Sequence, residues 1–297
     1  MEFTAEIPVV CRSPGMEPDA LTRYWEGLDR VTFARAVTRE RQAAKERDLL
    51  FAAHGPIRKL IEEDENAMVA LREFAGLRKA AVKDRAVSFL SKAGGLGGIT
   101  SFGLPPGLHI FGPPFDLDRP GPTAGAPAES HASRDTGELF VSVPDDSDAH
   151  GLRVATASLV IIFQPSIIGT LSVRPYTKYA YSWLVAGLHL SAHSEGSLTI
   201  TAVRENDGQV QDSRTVLLWS RTTESDVHSE STDGVAWPPD FQVNFLAEPG
   251  RRYLVSITAT VSGDQSGDQS ILAFPSWSVF SGCLSASVPW LVAELRQ

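Results

Sequence analysis

The sequence predicts an α+β multidomain chain: an N-terminal α-helical hairpin or coiled coil followed by an antiparallel β-sandwich of jelly-roll or Ig-like type. Three observations predict it. Residues 17–92 are charged and carry apolar residues at helical spacing. A stretch rich in Gly and Pro follows, from Gly94 to Glu138. Beyond it, about ten short runs rich in Val, Ile and Leu are separated by Gly, Asp and Asn turns, with no helical pattern between them. The predicted divisions are a helical domain with a short leading segment (1–93), an apolar strap and linker (94–138) and a β-sandwich domain (139–297).

Thr4 to Val10 has the composition of one strand, ended by Pro14-Gly15. Asp19 then fits an N-cap or a first helical turn, where a carboxylate satisfies free N–H groups and opposes the helix dipole. Leu21, Tyr24/Trp25, Leu28 and Val31/Thr32 follow three or four apart and form one apolar stripe. His54-Gly55-Pro56 breaks the pattern, because Gly suits the position after a helix and Pro cannot continue an interior turn. A second stripe, Ile57, Leu60/Ile61, Ala67/Met68, Leu71, Phe74/Ala75, Val82 and Phe89, predicts a helix to about Lys92. A hairpin and one kinked helix are the two readings. Each stripe is narrow and calls for a partner.

The strap opens with Gly94-Gly95-Leu96-Gly97-Gly98. Leu96, Ile99, Phe102, Leu104, Leu108, Ile110, Phe111 and Phe115 are too many large apolar residues for a free linker. The strap is therefore expected to dock on a neighbour, or to offer Leu96, Ile99, Phe102, Leu108 and Phe111 to a partner or a membrane. Gly121 to Asp135 reads as a tether.

Strands are predicted at Leu139–Val143, Leu152–Phe163, Ile167–Val173, Lys178–His193, Ser197–Arg204, Thr215–Arg221, Phe241–Leu246, Tyr253–Val261, Ile271–Val279 and Cys283–Leu295. The turns between them hold Glu195-Gly196, Asn206-Asp207-Gly208, Asp233-Gly234, Glu248-Pro249-Gly250 and Gly263-Asp264. A doubled Gly-Asp-Gln-Ser at 263–270 is a loop extension. Three runs without Asp, Glu, Lys or Arg, namely Ala93–Phe115, Val154–Val173 and Gln269–Ala293, are about long enough to span a bilayer as helices. Their Gly, Pro and β-branched content makes them neighbouring buried strands instead.

A net charge of −9 speaks against general nucleic-acid binding, which needs a basic surface. The charge is uneven: residues 17–92 hold 15 Lys/Arg against 13 Asp/Glu, and residues 93–297 hold 11 against 21. Cys11 and Cys283 lie at opposite ends of the chain and are expected as free thiols. Met1 to Glu6 has no basic segment and no apolar run after it, so the expected location is the cytoplasm or export without a signal peptide.

No motif carries a specific chemistry. Gly94–Gly98 is followed by no Lys-Ser/Thr and preceded by no strand, so it matches neither a P-loop nor a dinucleotide fingerprint. There is no G-x-S-x-G elbow, and Ser166 and Ser281 have no recognisable partner. His189 and His193 would stand about 13 Å apart on a strand, too far to share zinc. Asp145, Asp146 and Asp148, with Asp116 and Asp118 in reach, lack the pinned turn and distal Glu of a calcium loop. Neither metal nor cofactor is expected. Trp237 and Asp240 form the one ligand-binding candidate, on a loop suited to a sugar ring. The expected function is a non-enzymatic structural or interaction protein, with helices for oligomerisation or anchoring and a sandwich for recognition of a protein partner or a second copy. The alternatives are a membrane-active, pore-forming protein with a receptor-binding sandwich, and a carbohydrate-binding module.

Overall fold

The structure is a computed structural model and describes residues 11–12, 22–28, 38, 108–121, 128–144, 151–188, 191–223, 226–236, 240–266 and 277–296. In chain order the strands are β1 (Cys11–Arg12), β2 (Leu108–Phe111), β3 (Leu117–Pro120), β4 (Glu129–Ser133), β5 (Glu138–Val143), β6 (Gly151–Gln164) and β7 (Gly169–Leu188). β8 (Ser191–Arg204), β9 (Val210–Thr223), β10 (Val227–Ala236), β11 (Val243–Ala247), β12 (Tyr253–Ser266) and β13 (Trp277–Arg296) complete the set.

They form two antiparallel sheets. The first runs β1-β6-β12-β8-β9, with β3 also on β6. The second runs β10-β7-β13-β5-β4, with β11 also on β7 and β2 also on β13. Without the short edge pieces the order is 6-12-8-9 against 5-13-7-10, the strand order of a jelly roll. Alternate residues of each strand point between the sheets, as period-two geometry requires. Ala155, Ala157, Leu159, Ile161 and Phe163 of β6, with Val255, Ile257 and Val261 of β12, close on Leu171, Val173, Trp183 and Val185 of β7 and on Leu284 and Leu291 of β13.

Between edge strands β9 and β10 the two layers are bridged by rings. Tyr179 stacks on Tyr181 at 6.1 Å and Tyr181 meets Trp219 at 4.8 Å. Trp219 lies flat on Gly196, where a Cβ would come within 1.9 Å of the ring. Its indole N–H donates to the Ser194 hydroxyl at 3.0 Å. The Tyr181 hydroxyl donates to Glu230 at 3.3 Å, and its pKa is raised by burial and by that carboxylate.

The outer face of the first sheet is also buried. Tyr24 and Leu28 of the helical turns at 22–28 pack on Val160, Ile162, Val203 and Leu254, with Trp25 and Leu117 alongside. The Arg119 guanidinium sits over the Trp25 ring at 4.9 Å. Burial pushes the Tyr24 hydroxyl well above its ordinary pKa.

These contacts correct the predicted class. The described residues are nearly all strand, with one short helix, and show neither a helical hairpin nor a coiled coil. The physical reason lies in the stripe itself. Tyr24 and Leu28 fit a helix–helix seam by spacing, yet the apolar outer face of β6, β12 and β8 takes them up instead. The second predicted helix, Pro56 to Lys92, lies outside the described residues. Strand boundaries also shift. The predicted strand Lys178–His193 gives way to β7, ending at Leu188, and β8, starting at Ser191, which belong to different sheets. β7 in turn continues through Pro175, where a break was expected. Asp233-Gly234, predicted as a turn, lies inside β10, and the reason is contact: the Tyr179 ring covers Gly234, leaving 2.5 Å for a Cβ.

Candidate functional site

The helical segment at 22–28 packs on the first sheet; on the outer face of the second sheet Leu184, Ala186 and Val279 form a buried cluster of their own, and a mixed polar and aromatic patch lies further along β7 and β13. Its centre is made by a single extra residue in β13. Ser287 pairs with Lys178 and Trp290 pairs with Tyr176, so β13 spends three residues where β7 spends two. Val288 still points into the core, and Pro289 occupies the bulge, where a missing N–H breaks no ladder bond. After it the parity of β13 is reversed. Leu291, Ala293 and Leu295 take the inner positions, and Trp290 is delivered to the outer face.

There Trp290 lies parallel to Tyr176, with 4.8 Å between ring centroids and 7° between planes. One row further along, Arg174 donates to Glu294 at 2.7 Å, and its Nε donates to the Ser172 hydroxyl at 3.1 Å. Arg296 donates to both oxygens of the same Glu294, at 2.6 and 2.9 Å. One row the other way is Lys178, half-buried and in no ion pair among the described residues. Apolar residues frame the centre: Ile110 of β2 opposite Val292, Val235 of β10 opposite Lys178, and Leu246 of β11 opposite Thr170. They are 43, 45 and 60% exposed.

Arg296 first, and then Arg174, hold the Glu294 carboxyl below the usual carboxylate range. A depressed native pKa contributes stability above the unfolded value, about 4.3 for Glu, and that contribution is lost as pH falls through the native value. Glu294→Gln is therefore expected to lower the melting temperature at neutral pH, with the gap to the parent protein closing under acid. A melting series across that range checks it, and a gap that widens under acid counts against the assignment.

Chemically the face offers two large rings with little flexibility, two guanidiniums that share one ionised carboxylate, and one spare ammonium. Cys283 lies on the same face as a free thiol. Burial, helped by the charge of Glu129, pushes its pKa up to about 11, so it stays protonated and unreactive near neutrality.

The sequence-derived candidates fall elsewhere, with one exception. Trp237, Leu96, Ile99 and Phe102 lie outside the described residues. Asp240 is exposed in the turn before β11. Phe111, in β2, packs edge-on against Phe163 at 5.3 Å, on the core side. Leu108 pairs with Glu294 and so lies on the outer face of the second sheet. His193 sits in β8 with its Nδ1 2.9 Å from the Thr222 hydroxyl. Among the described residues no group of His, Cys, Asp and Glu has a metal-binding arrangement. Tyr176, Trp290, Arg174 and Lys178 were not foreseen. The signal for them is Pro289 inside a strand-like run, since Pro within a strand marks a bulge.

No described protein family matches the chain, and no curated protein matches it. The chain has low similarity to some solved structures. One is the isomalto-dextranase of Arthrobacter globiformis T6 complexed with panose, at 14% identity and TM-score 0.23, covering 63% of this chain and 23% of that one. Another is infectious bursal disease virus, Gx strain, at 14% identity and TM-score 0.23, covering 67% and 41%. A third is TmCBM61 in complex with β-1,4-galactotriose, at 10% identity and TM-score 0.22, covering 61% and 90%. The chain thus spans less than half of the first two proteins. Likeness of this degree assigns neither ligand nor activity.

Proposed function

We propose that the chain is a non-enzymatic interaction protein that docks a protein partner on the outer face of its second sheet. The observation that carries this reading is the Pro289 bulge, which moves Trp290 out of the core register and onto Tyr176. A large ring serves burial first, so a fold feature that turns it outward needs a compensating use. Trp, Tyr and Arg dominate the energetic centres of protein interfaces, and here Trp290, Tyr176 and Arg174 are immediate neighbours. Ile110, Val235 and Leu246 supply the surrounding apolar area. A sugar platform is less well served. Each ring already spends one face on the other at 4.8 Å, whereas a sugar stacks on a free face.

Co-purification of the tagged full chain from its own cells tests the reading, with a second copy counted as a partner. At least one stoichiometric protein is expected with the parent chain and about tenfold less of it with Trp290→Ala at unchanged far-UV dichroism, a loss of about 1.4 kcal/mol. An identical partner set for parent and variant overturns it.

A further inference from the structure

We infer that two copies of this chain join side by side, each laying its β9 edge against the β10 edge of the other about a two-fold axis parallel to the strands. This contact is separate from the patch around Trp290 and goes beyond the docking reading.

Edge strands offer unpaired N–H and C=O groups, and natural sheets shorten or cover them. The side of the sandwich at β6 follows that rule. β1 and β3 overlay β6, and between them Asp116 takes the N–H of Ile162. The opposite side does not. Among the described residues β9, 14 residues long, pairs only with β8, and β10, 10 residues long, pairs only with β7. His228 to Asp233 are all exposed, so both faces of β10 stand in solvent. The free backbone can be counted. Gly187 donates to the Asp226 carbonyl at 3.1 Å, which makes these two a hydrogen-bonded pair at the end of the ladder. Such pairs alternate along an antiparallel ladder, so Ser229, Ser231 and Asp233 turn their N–H and C=O groups away from β7.

The levels of the two edges fix how they meet. Asp212, near the start of β9, accepts from the N–H of Asn244, which is level with Ser172 of β7. Thr223, at the end of β9, is bonded to Asp226, level with Gly187. β9 therefore runs in the direction of β7 and opposite to β10. The contact of Trp219 with Tyr181 sets Trp219 level with Thr232, the partner of Tyr181. An axis parallel to the strands keeps every level and exchanges the two layers. β9 of one copy then extends the second sheet of the other, antiparallel to β10, and the same contact forms twice. Counting two residues from the level of Trp219 and Thr232 brings Arg221 of one copy to Glu230 of the other. Both point to the side between the layers: Arg221 shares the parity of Trp219, and Glu230 pairs with Trp183 and accepts the Tyr181 hydroxyl. On the outer side the exposed Leu217 and Val235 become diagonal neighbours.

Charge favours the same arrangement. The exposed charges of β9 are Arg214 and Arg221, and the exposed carboxylates of β10 are Glu230 and Asp233. Among the described residues none of these four is in an ion pair. An axis normal to the sheets would set β9 on β9 and β10 on β10, like charge on like. The axis along the strands sets the basic edge on the acidic one. Ten residues at ~3.3 Å, and two layers that span about 20 Å with their side chains, give roughly 650 Å² per partner, within the range of specific interfaces.

Sedimentation of the full chain between about 1 and about 100 µM tests the inference. The parent chain is expected to reach twice its 32.1 kDa within this range. Arg221→Glu sets carboxylate against Glu230 at both contacts, and Glu230→Arg sets guanidinium against Arg221. Each alone is expected to weaken the dimer at least tenfold. Mixed in equal amounts, the two variants are expected to regain the affinity of the parent, because both contacts of the mixed dimer carry opposite charges. Ser231→Pro, which removes an N–H that faces the neighbour, is expected to abolish the dimer at unchanged far-UV dichroism. A single-chain mass at the highest concentration, or a mixture no tighter than its separate variants, overturns the inference. A dimer lost with Trp290→Ala and kept by both charge variants also overturns it, and leaves docking at the Trp290 patch standing.

Discussion

Gly196→Ala is expected to destabilise the sandwich by about 1–3 kcal/mol, the usual cost of overpacking a closed core. Two effects oppose each other. Glycine in a strand costs roughly 0.5–1 kcal/mol through unfolded-state entropy, and alanine would recover that. The new methyl group, however, would stand 1.9–2.4 Å from three carbons of the Trp219 ring. The ring cannot retreat cheaply. Its N–H is tied to Ser194, Tyr181 rests on it, and a side chain at Gly282 would already be 3.3 Å from its far edge. Strain therefore wins, and urea unfolding should show a lower midpoint with an unchanged slope. Combining Gly196→Ala with Trp219→Leu should cost less than the two changes added together, because the clash is their shared term. Full additivity would mean that the ring is not what occupies the space above Gly196.

Deleting Pro289 is expected to have a larger effect. Without the extra residue, β13 beyond the bulge meets β7 one position out of step, and every side chain from Trp290 to Arg296 changes face. Leu291 and Leu295 would leave the core, at roughly 1.5–3 kcal/mol each. Glu294 would enter it without Arg174, and Arg296 would be carried inward beside it. The combined cost approaches the whole stability of a typical domain, so the deleted chain is expected to lose its cooperative melting transition. Pro289→Ala keeps the residue count and is expected to stay within about 1 kcal/mol of the parent. The pair separates register from ring chemistry: equal behaviour of the two variants would show that the bulge does not set the register of β13.

Much of the sandwich could be read directly. Leu152–Phe163 and Tyr253–Val261 emerge as β6 and β12, with Ala155, Ala157, Leu159, Ile161 and Phe163 of the first on the inner side as period two predicts; Val160, Ile162 and Leu254 on the other side are buried too, under Tyr24 and Leu28. Turn chemistry placed Asn206-Asp207-Gly208 and Glu248-Pro249-Gly250, and Gly208 and Gly250 have the positive φ those turns require. β10 was invisible because an edge strand of Ser, Glu, Thr and Asp has no apolar period to detect. β4 hid for the same reason inside a segment read as tether. The Tyr24 stripe was legible as helix but silent about its destination, since periodicity says which residues are covered and never by what. The row of Tyr176 and Trp290 was harder still. Trp290 sits in a run whose composition says core, and only the pairing partner of each residue shows that Pro289 shifts the count by one.

The seat of Tyr24 also imposes an order of events on the nascent chain. Its contacts reach to Val160, Ile162, Val203 and Leu254, so the last wall of that seat is translated 230 residues after the tyrosine. At ribosomal speeds of about 5–20 residues per second the interval is roughly 10–50 s. Until β12 is made, Tyr24, Trp25 and Leu28 have only part of their native surface to cover, whereas β6 and β7, adjacent along the chain, can begin to collapse at once. The segment made early is therefore seated late. A chaperone that binds short apolar stripes would meet this chain first at residues 22–28, and would have to release it after β12 is complete.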